Sequence, residues 1–475
     1  MKKQMKTHRW VSFLLIAYVL ASPYDLVYLS QTLSAELVDA VQLLLLVIGF
    51  LLLVQERKQV RLPLWGAEFL IVTGSMIAMF QASGPLEAFE TLLKDVYMYL
   101  FFIIVVNIIE DRGILSKMVK IWQVLALVEA LFVLFSSVIH IGQAVPSIQD
   151  QSTELGVEML VMSGESLQAQ HATKRTVFAE TGPLAPGRQR GTFSSPNLAG
   201  LYLAQGAVLT VGIPFTRRRW LHWLMVGVMI AGLVATGSNA ALGAFLVAFC
   251  AYLLFSSSNH KRLMWLGVGA VGLGFIFGVL VVIPPRQLLY DLAQLSPVLK
   301  RGISRAPGGV EGRAGMVFSG WEQFREKPLG LGPHGMRISD VERNTHNEYA
   351  AYLFERGYLG FAGLLFLLGG AAARAIYSGL HGDAAHRRLM ATLLGVLLMT
   401  VVTDLAHEYM REREVWLGIA MIVLFAEFEL RRRQSEQRDV RATRWPWASA
   451  KTVPVVSRKW LKPDDISFQD AATGQ

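Results

Sequence analysis

The feature that most constrains this chain is an alternation repeated along its length. Apolar segments of roughly 20 residues are separated by short polar connections, and lysine and arginine collect in every second one. A bilayer core holds no water, so a segment that crosses it must satisfy its own backbone hydrogen bonds, which leaves helices or a closed barrel. At about 1.5 Å per residue, helices of this length match a hydrocarbon thickness of about 30 Å. The apolar stretches at residues 10–29, 37–54, 62–80, 96–109, 119–141, 198–215, 220–236, 240–255, 263–283, 349–373, 389–403 and 415–430 predict an all-α polytopic membrane protein with about 12 transmembrane helices.

The basic residues set the orientation. The leader MKKQMKTHR, Arg57/Lys58/Arg61, Arg112/Lys117/Lys120, Arg217/Arg218/Arg219, Lys261/Arg262, Arg374/Arg387/Arg388 and Arg431/Arg432/Arg433 all fall on one side of such a bundle. The positive-inside rule makes that side cytoplasmic, with both termini on it. The turns at residues 31–36 and 237–239 carry no basic residue. Two long loops, about 142–196 and 284–347, then face outward, and their arginines do not conflict with the rule because long loops translocate largely regardless of charge. Residues 1–430 form the membrane domain, and 431–475 form a basic cytoplasmic tail whose arginines and Trp445/Trp447 suit contact with anionic lipid. The first segment also fits a signal peptide cleaved near Ala21; the number of later spans favours a retained helix.

The bulk numbers agree. Of 475 residues 53% are hydrophobic and 17% charged, and mean hydropathy is +0.40, outside the range of a soluble domain. A net charge of +9 would suit nucleic acid, but the basic residues sit in short clusters between apolar segments and read instead as orientation signals. The single cysteine, Cys250, excludes an intramolecular disulfide and a cysteine-based metal site. No nucleotide-binding fingerprint is present, so no cofactor is expected.

The most chemically informative stretch is THNEYAAYLFERGYLG, residues 345–360. Thr345 and Glu348 have capping-box spacing, which predicts a helix with His346 in its first turn. Gly357 sits where a C′ residue would end that helix, and Gly360 opens an apolar run. The positive end of a helix disfavours imidazolium, so His346 there is a candidate general base at pH 7. A histidine that only satisfies local hydrogen bonds would leave the same local pattern.

His346-Asn347, nine residues, Gly357, two residues and Gly360 resemble the signature of the O-antigen ligase and polymerase family of bacterial membrane glycosyltransferases. Members are built on about twelve membrane helices with a large external loop ahead of the motif. Two further stretches resemble the family's external arginine motifs, RGTFSSPNLAG and GRAGMVFSGWEQFREKPLGLGPHG, with Arg190 and Arg313 at the matching positions. In the first, Ser195 and Pro196 predict a helix start. The second predicts a helix from about Arg313 to Glu326, with Arg313, Val317 and Trp321 on one face.

The resemblance implies transfer of a glycan from a polyprenyl (undecaprenyl) pyrophosphate to an acceptor hydroxyl, on the outer face of the bacterial cytoplasmic membrane. It implies inversion at the sugar carbon, without metal. Guanidinium groups suit a pyrophosphate leaving group because they bind its oxygens in pairs and stay charged. Arg190 and Arg313 are therefore the candidate donor ligands and His346 the candidate base, with Asn347, Gly357, Gly360, Trp321 and Arg343 in support. Arg337 and Arg356 are lesser candidates for the same electropositive surface, and Tyr349 and Tyr352 for stacking on sugars. Without the resemblance, the arginines read equally as groups that reach lipid headgroups or pair with Glu180 and Glu311.

Asp404, His407 and Glu408 could gather around a cation, but the position four after His407 is Arg411, and salt bridging with Arg411 and Arg413 is the better reading. A polysaccharide polymerase would use the same donor, and the motifs do not separate it from a ligase. A transporter or flippase would place its charges at mid-membrane. The segments hold few such charges (Asp25, Asp39 and Glu129 among them), while the motifs concentrate outside.

Overall fold

The computed structural model describes residues 13–22, 28–30, 35–55, 59–82, 84–142, 191–193, 195–257, 317, 320–332, 337–338, 341–342, 347–410 and 412–444. Arg190, Arg313, Arg343 and His346, the segment 263–283 and most of both long loops lie outside the described residues.

The described chain is helical apart from two short antiparallel ribbons. Helix α1 covers residues 13–21 and is followed by β1 (Tyr28–Ser30) paired with β2 (Ala35–Glu36). The sequence suggests a first span reaching residue 29; the helix instead stops before Pro23, whose missing N–H and fixed φ cannot continue it. Then come α2 (Leu37–Gln55), α3 (Trp65–Met79), α4 (Pro85–Ile108), α5 (Arg112–Gly142), α6 (Pro196–Gly212), α7 (Arg219–Thr236) and α8 (Asn239–Ser256). A short helix α9 at residues 320–326 and a ribbon of β3 (Arg337–Ile338) with β4 (Val341–Glu342) precede α10 (Glu348–His381), α11 (Ala384–Thr403) and α12 (Arg413–Arg444).

Among the described residues seven helices, α2, α4, α5, α7, α8, α10 and α11, are long and apolar enough to cross a membrane. Helices α3 and α6 are shorter, at 15 and 17 residues. Two helices are apolar on every side and are correspondingly buried. In α12 residues 415–426 are buried at every position, and α6 is buried along most of its length. By contrast α2 exposes Leu43, Val47, Phe50, Leu51 and Val54 along one side, the surface a lipid-facing helix presents.

The basic clusters gather at one end, and acids the sequence reading passed over meet them there. Arg61 pairs with Glu427 and donates to the Val106 carbonyl at 2.6 Å. Arg112 lies over the Phe425 ring at 5.9 Å, and Arg432 reaches Asp383 at 3.0 Å and Glu429 at 2.8 Å. The tail does not begin as loose chain at residue 431, because α12 continues unbroken to Arg444. Bridges one turn apart, Arg433 to Glu429 at 3.0 Å and Arg432 to Glu436 at 3.6 Å, support that extension, and no glycine or proline interrupts it before Pro446.

Candidate functional site

The opposite end of the bundle holds the described part of the candidate site. Asn347 is the N-cap of α10: its side-chain oxygen accepts the Ala350 N–H at 3.0 Å, and its carbonyl accepts the Ala351 N–H at 2.9 Å. This corrects the capping-box expectation. Asparagine is a stronger N-cap than threonine, so the helix starts two residues later and His346 immediately precedes the cap instead of lying in the first turn. Glu348, freed from capping, turns inward and accepts the Met410 N–H at 3.3 Å.

The start of α10 is clamped to the connection between α11 and α12. The Glu348 N–H donates to the Asp404 carbonyl at 2.9 Å, the Asn347 amide to the Leu405 carbonyl at 3.1 Å, and the Tyr349 hydroxyl to the Val401 carbonyl at 2.8 Å. The connection is itself fixed, since Tyr409 N–H donates to Asp404 Oδ1 at 3.3 Å and Trp416 Nε1 to the Met410 carbonyl at 2.8 Å. Asp404 is fully buried, and among the described residues its Oδ2 has no hydrogen-bond partner. Burial first, and then the charge of Glu348, push its carboxyl well above the ordinary value, against the Tyr409 N–H. That burial favours the neutral form of Asp404, while Arg413 pairs with Asp39 of α2; Arg411, the other expected salt-bridge partner, lies outside the described residues. Among the described residues no three potential metal ligands gather at one point.

Gly357 breaks α10 where a helix end was expected. Its φ of 70° and ψ of −172° belong to a region open essentially to glycine alone, and the chain re-enters helix directly afterwards. The break exposes carbonyls that an intact helix would use. The strap after α9 satisfies them: Leu331 N–H donates to Phe354 at 2.7 Å and Gly332 N–H to Glu355 at 3.0 Å. A Cβ at position 357 would lie 2.5 Å from the Leu329 carbonyl oxygen, so the strap and the break require each other. Helix α9 ends at Glu326, with Pro328 two residues on, as its sequence implies. Its Phe324 ring sits 5.7 Å from Phe354 and 5.1 Å from Tyr358, and Trp321 covers Phe324 at 5.8 Å while remaining 42% exposed.

Residues 224–365 match the family model described as O-antigen ligase. Over these residues the chain is similar to O-antigen ligases. The matched stretch runs from α7 into the second half of the broken α10 and includes the positions of Arg313, Arg343, His346, Asn347, Gly357 and Gly360, while Arg190 precedes it. No curated protein matches the chain. The seven long apolar helices among the described residues, together with this similarity, mark a multi-pass membrane protein.

Two candidates move away from the surface. Arg356 is 1% exposed, paired with Asp95 and stacked over Tyr352 at 3.7 Å, so neither Arg356 nor Tyr352 is available to a substrate. Tyr349 is committed to Val401 through its hydroxyl. The sequence reading left out Asp95 and Glu68 as interior charges, although Glu68 is a lone acid within the apolar run 62–80; Asp95 follows Lys94 at the edge of another.

Gly360 has a packing role. A Cβ at Gly74 of α3 would fall 2.5 Å from the Gly360 nitrogen and 2.6 Å from the Arg356 carbonyl, so the two helices touch backbone to backbone.

Proposed function

We propose that this protein is a ligase-type glycosyltransferase, transferring a glycan from a polyprenyl pyrophosphate donor to an acceptor hydroxyl on the outer face of the cytoplasmic membrane. The observation that carries this reading is the His346-Asn347 pair, set at the capped start of a helix whose position is fixed by Asp404, Leu405 and Met410, inside the stretch that matches the O-antigen ligase family.

In this reading His346 takes the proton of the acceptor hydroxyl as its oxygen attacks the anomeric carbon. The bond from that carbon to the pyrophosphate oxygen breaks, and its electron pair leaves with the phosphate. Arg190 and Arg313 hold the departing anion and stabilise the charge that grows on it. Asn347 caps α10, and the positive end of that helix favours a neutral imidazole at the preceding position in sequence. Attack opposite the leaving group inverts the sugar carbon, and no metal is required because the leaving group is already good. The basic end of the bundle faces the cytoplasm, about twelve spans complete the membrane domain, and the acceptor is a lipopolysaccharide core or another surface glycan.

The product in a deletion strain tests the reading. A ligase leaves full-length polymer unlinked on its lipid carrier; accumulation of single repeat units would instead make the protein a polymerase using the same donor. Unchanged surface glycan together with undiminished carrier-linked polymer turnover would remove both.

A further inference from the structure

Three ionisable side chains come together inside the bundle, one of them, Glu68, from the first turn of α3. Arg356 lies one residue before the break in α10, Asp95 on α4 and Glu68 on α3. Asp95 is ten residues into α4 and Arg356 eight into α10, which puts them about 15 Å and 12 Å along their helices, near the middle of a hydrocarbon core about 30 Å thick. Arg356 Nη2 donates to Asp95 Oδ1 at 2.9 Å and lies 2.8 Å from Oδ2. The two charges cancel, and the Tyr352 ring covers the guanidinium.

Glu68 is the remainder. It is 5% exposed, and among the described residues neither of its carboxyl oxygens has a hydrogen-bond partner. It interacts electrostatically with Asp95 and Tyr99 of α4 and with Tyr352 and Arg356 of α10, the two helices packed against α3. The next cation, Arg374, acts on Tyr99. With Arg356 already matched by Asp95, an ionised Glu68 would leave one uncompensated negative charge in the membrane interior, which costs several kcal/mol on the order of a buried unpaired ion. A carboxyl in that position takes up a proton instead.

We propose that Glu68 is a membrane-embedded proton-binding site, holding one exchangeable proton at neutral pH beside the charge-neutral Asp95–Arg356 pair. The ligand is the proton itself, and its binding is linked to helix packing. Glu68 lies on the helix whose Gly74 touches the backbone of Arg356 and Gly360, so loss of the proton acts on the interface that supports the break at Gly357. The inference stands apart from the glycosyltransferase reading, because it concerns the protonation of an interior acid and is measured without substrate.

Infrared spectroscopy of the purified full-length protein in lipid tests it. Exposed glutamates are ionised at pH 7, their ordinary pKa being about 4.3. The parent should show a protonated-carboxyl stretch at pH 7 that shifts in D2O, fades as pH rises, and loses the intensity of one carboxyl in Glu68→Gln. In Asp95→Asn, Arg356 loses its ion-pair partner and, among the described acids, keeps besides Glu68 only Glu355 and Glu348 acting on it, so Glu68 should ionise and the same intensity should vanish although the residue is present. A parent spectrum identical to that of Glu68→Gln in this region would overturn the proposal. If Glu68→Gln does not insert, Asp95→Asn decides alone: persistence of the full band in that variant means that no proton shared with this cluster is being observed.

Discussion

The backbone N–H of Glu348 donates to the carbonyl of Asp404 at 2.9 Å, across 56 positions of sequence, and so ties the first residue of the broken helix to the end of the next membrane helix. Beside it the two carboxyls face a common interior, with Glu348 accepting from Met410 and Asp404 from Tyr409.

Replacing Asn347 separates capping from clamping. Asn347→Ala loses both the Ala350 bond and the Leu405 bond, and should cost about 1 kcal/mol for the cap alone. Asn347→Asp keeps an oxygen to cap with but has no amide to give Leu405, so it should recover helix protection without recovering full transfer. Hydrogen exchange at the Ala350 and Ala351 amides, measured beside glycan transfer, distinguishes the two effects; equal transfer in both variants and the parent would reduce Asn347 to a dispensable cap.

Asp404 makes a signed prediction about pH. Its carboxyl is raised in the folded protein, so the folded state binds the proton more tightly than the unfolded chain does. Its contribution to stability is fully present below the unfolded value of about 3.9 and declines as pH rises toward the folded value. Asp404→Asn mimics the neutral form and keeps an oxygen for Tyr409, so its melting temperature should fall less steeply with rising pH than the parent's. A parent curve no steeper than that of Asp404→Asn would mean that the carboxyl is ionised in place.

The glycines of α10 should divide sharply. Gly357→Ala forces a side chain into a backbone region that costs about 1–3 kcal/mol and into the Leu329 carbonyl, so it should release the strap and expose the Leu331 and Gly332 amides to exchange. Gly369 has nothing within 4 Å of a new Cβ, and Gly369→Ala should be neutral or stabilising by roughly 0.5–1 kcal/mol. Thermal unfolding in lipid or detergent reads both.

The proposed chemistry predicts different losses for the base and the arginines. His346→Ala should slow transfer by about 10²–10⁴, and His346→Gln should abolish the acid limb of the pH–rate profile without restoring the rate. Arg190→Ala and Arg313→Ala should abolish transfer with insertion intact, and lysine at either position should recover little, since an ammonium cannot form the paired bonds. Single-turnover rates across pH check the first set, and carrier-linked donor binding the second. Turnover of His346→Gln at the parental rate and profile would move the base elsewhere.

Hydropathy alone determined that the chain is built from long apolar helices, because crossing a bilayer imposes length and backbone satisfaction on each segment independently of the others. Helix α9 ending at Glu326 and the start of α6 at Ser195 and Pro196 were legible for the same reason: caps and breakers act within a turn or two. Gly357 was legible as an interruption, but not as a break that the chain then resumes. Only the tertiary structure decided which interior charges meet. Arg356 looked like part of an electropositive surface and is buried against Asp95, 261 positions earlier; Asp404 looked like a salt-bridge partner and is buried beside Glu348, which favours its protonated form. The helix start moved from Thr345 to Asn347 because residues 404–410 offer it partners that the local sequence cannot reveal. Periodicity and capping are properties of neighbouring residues, whereas the partner of a buried charge depends on which helix packs against it.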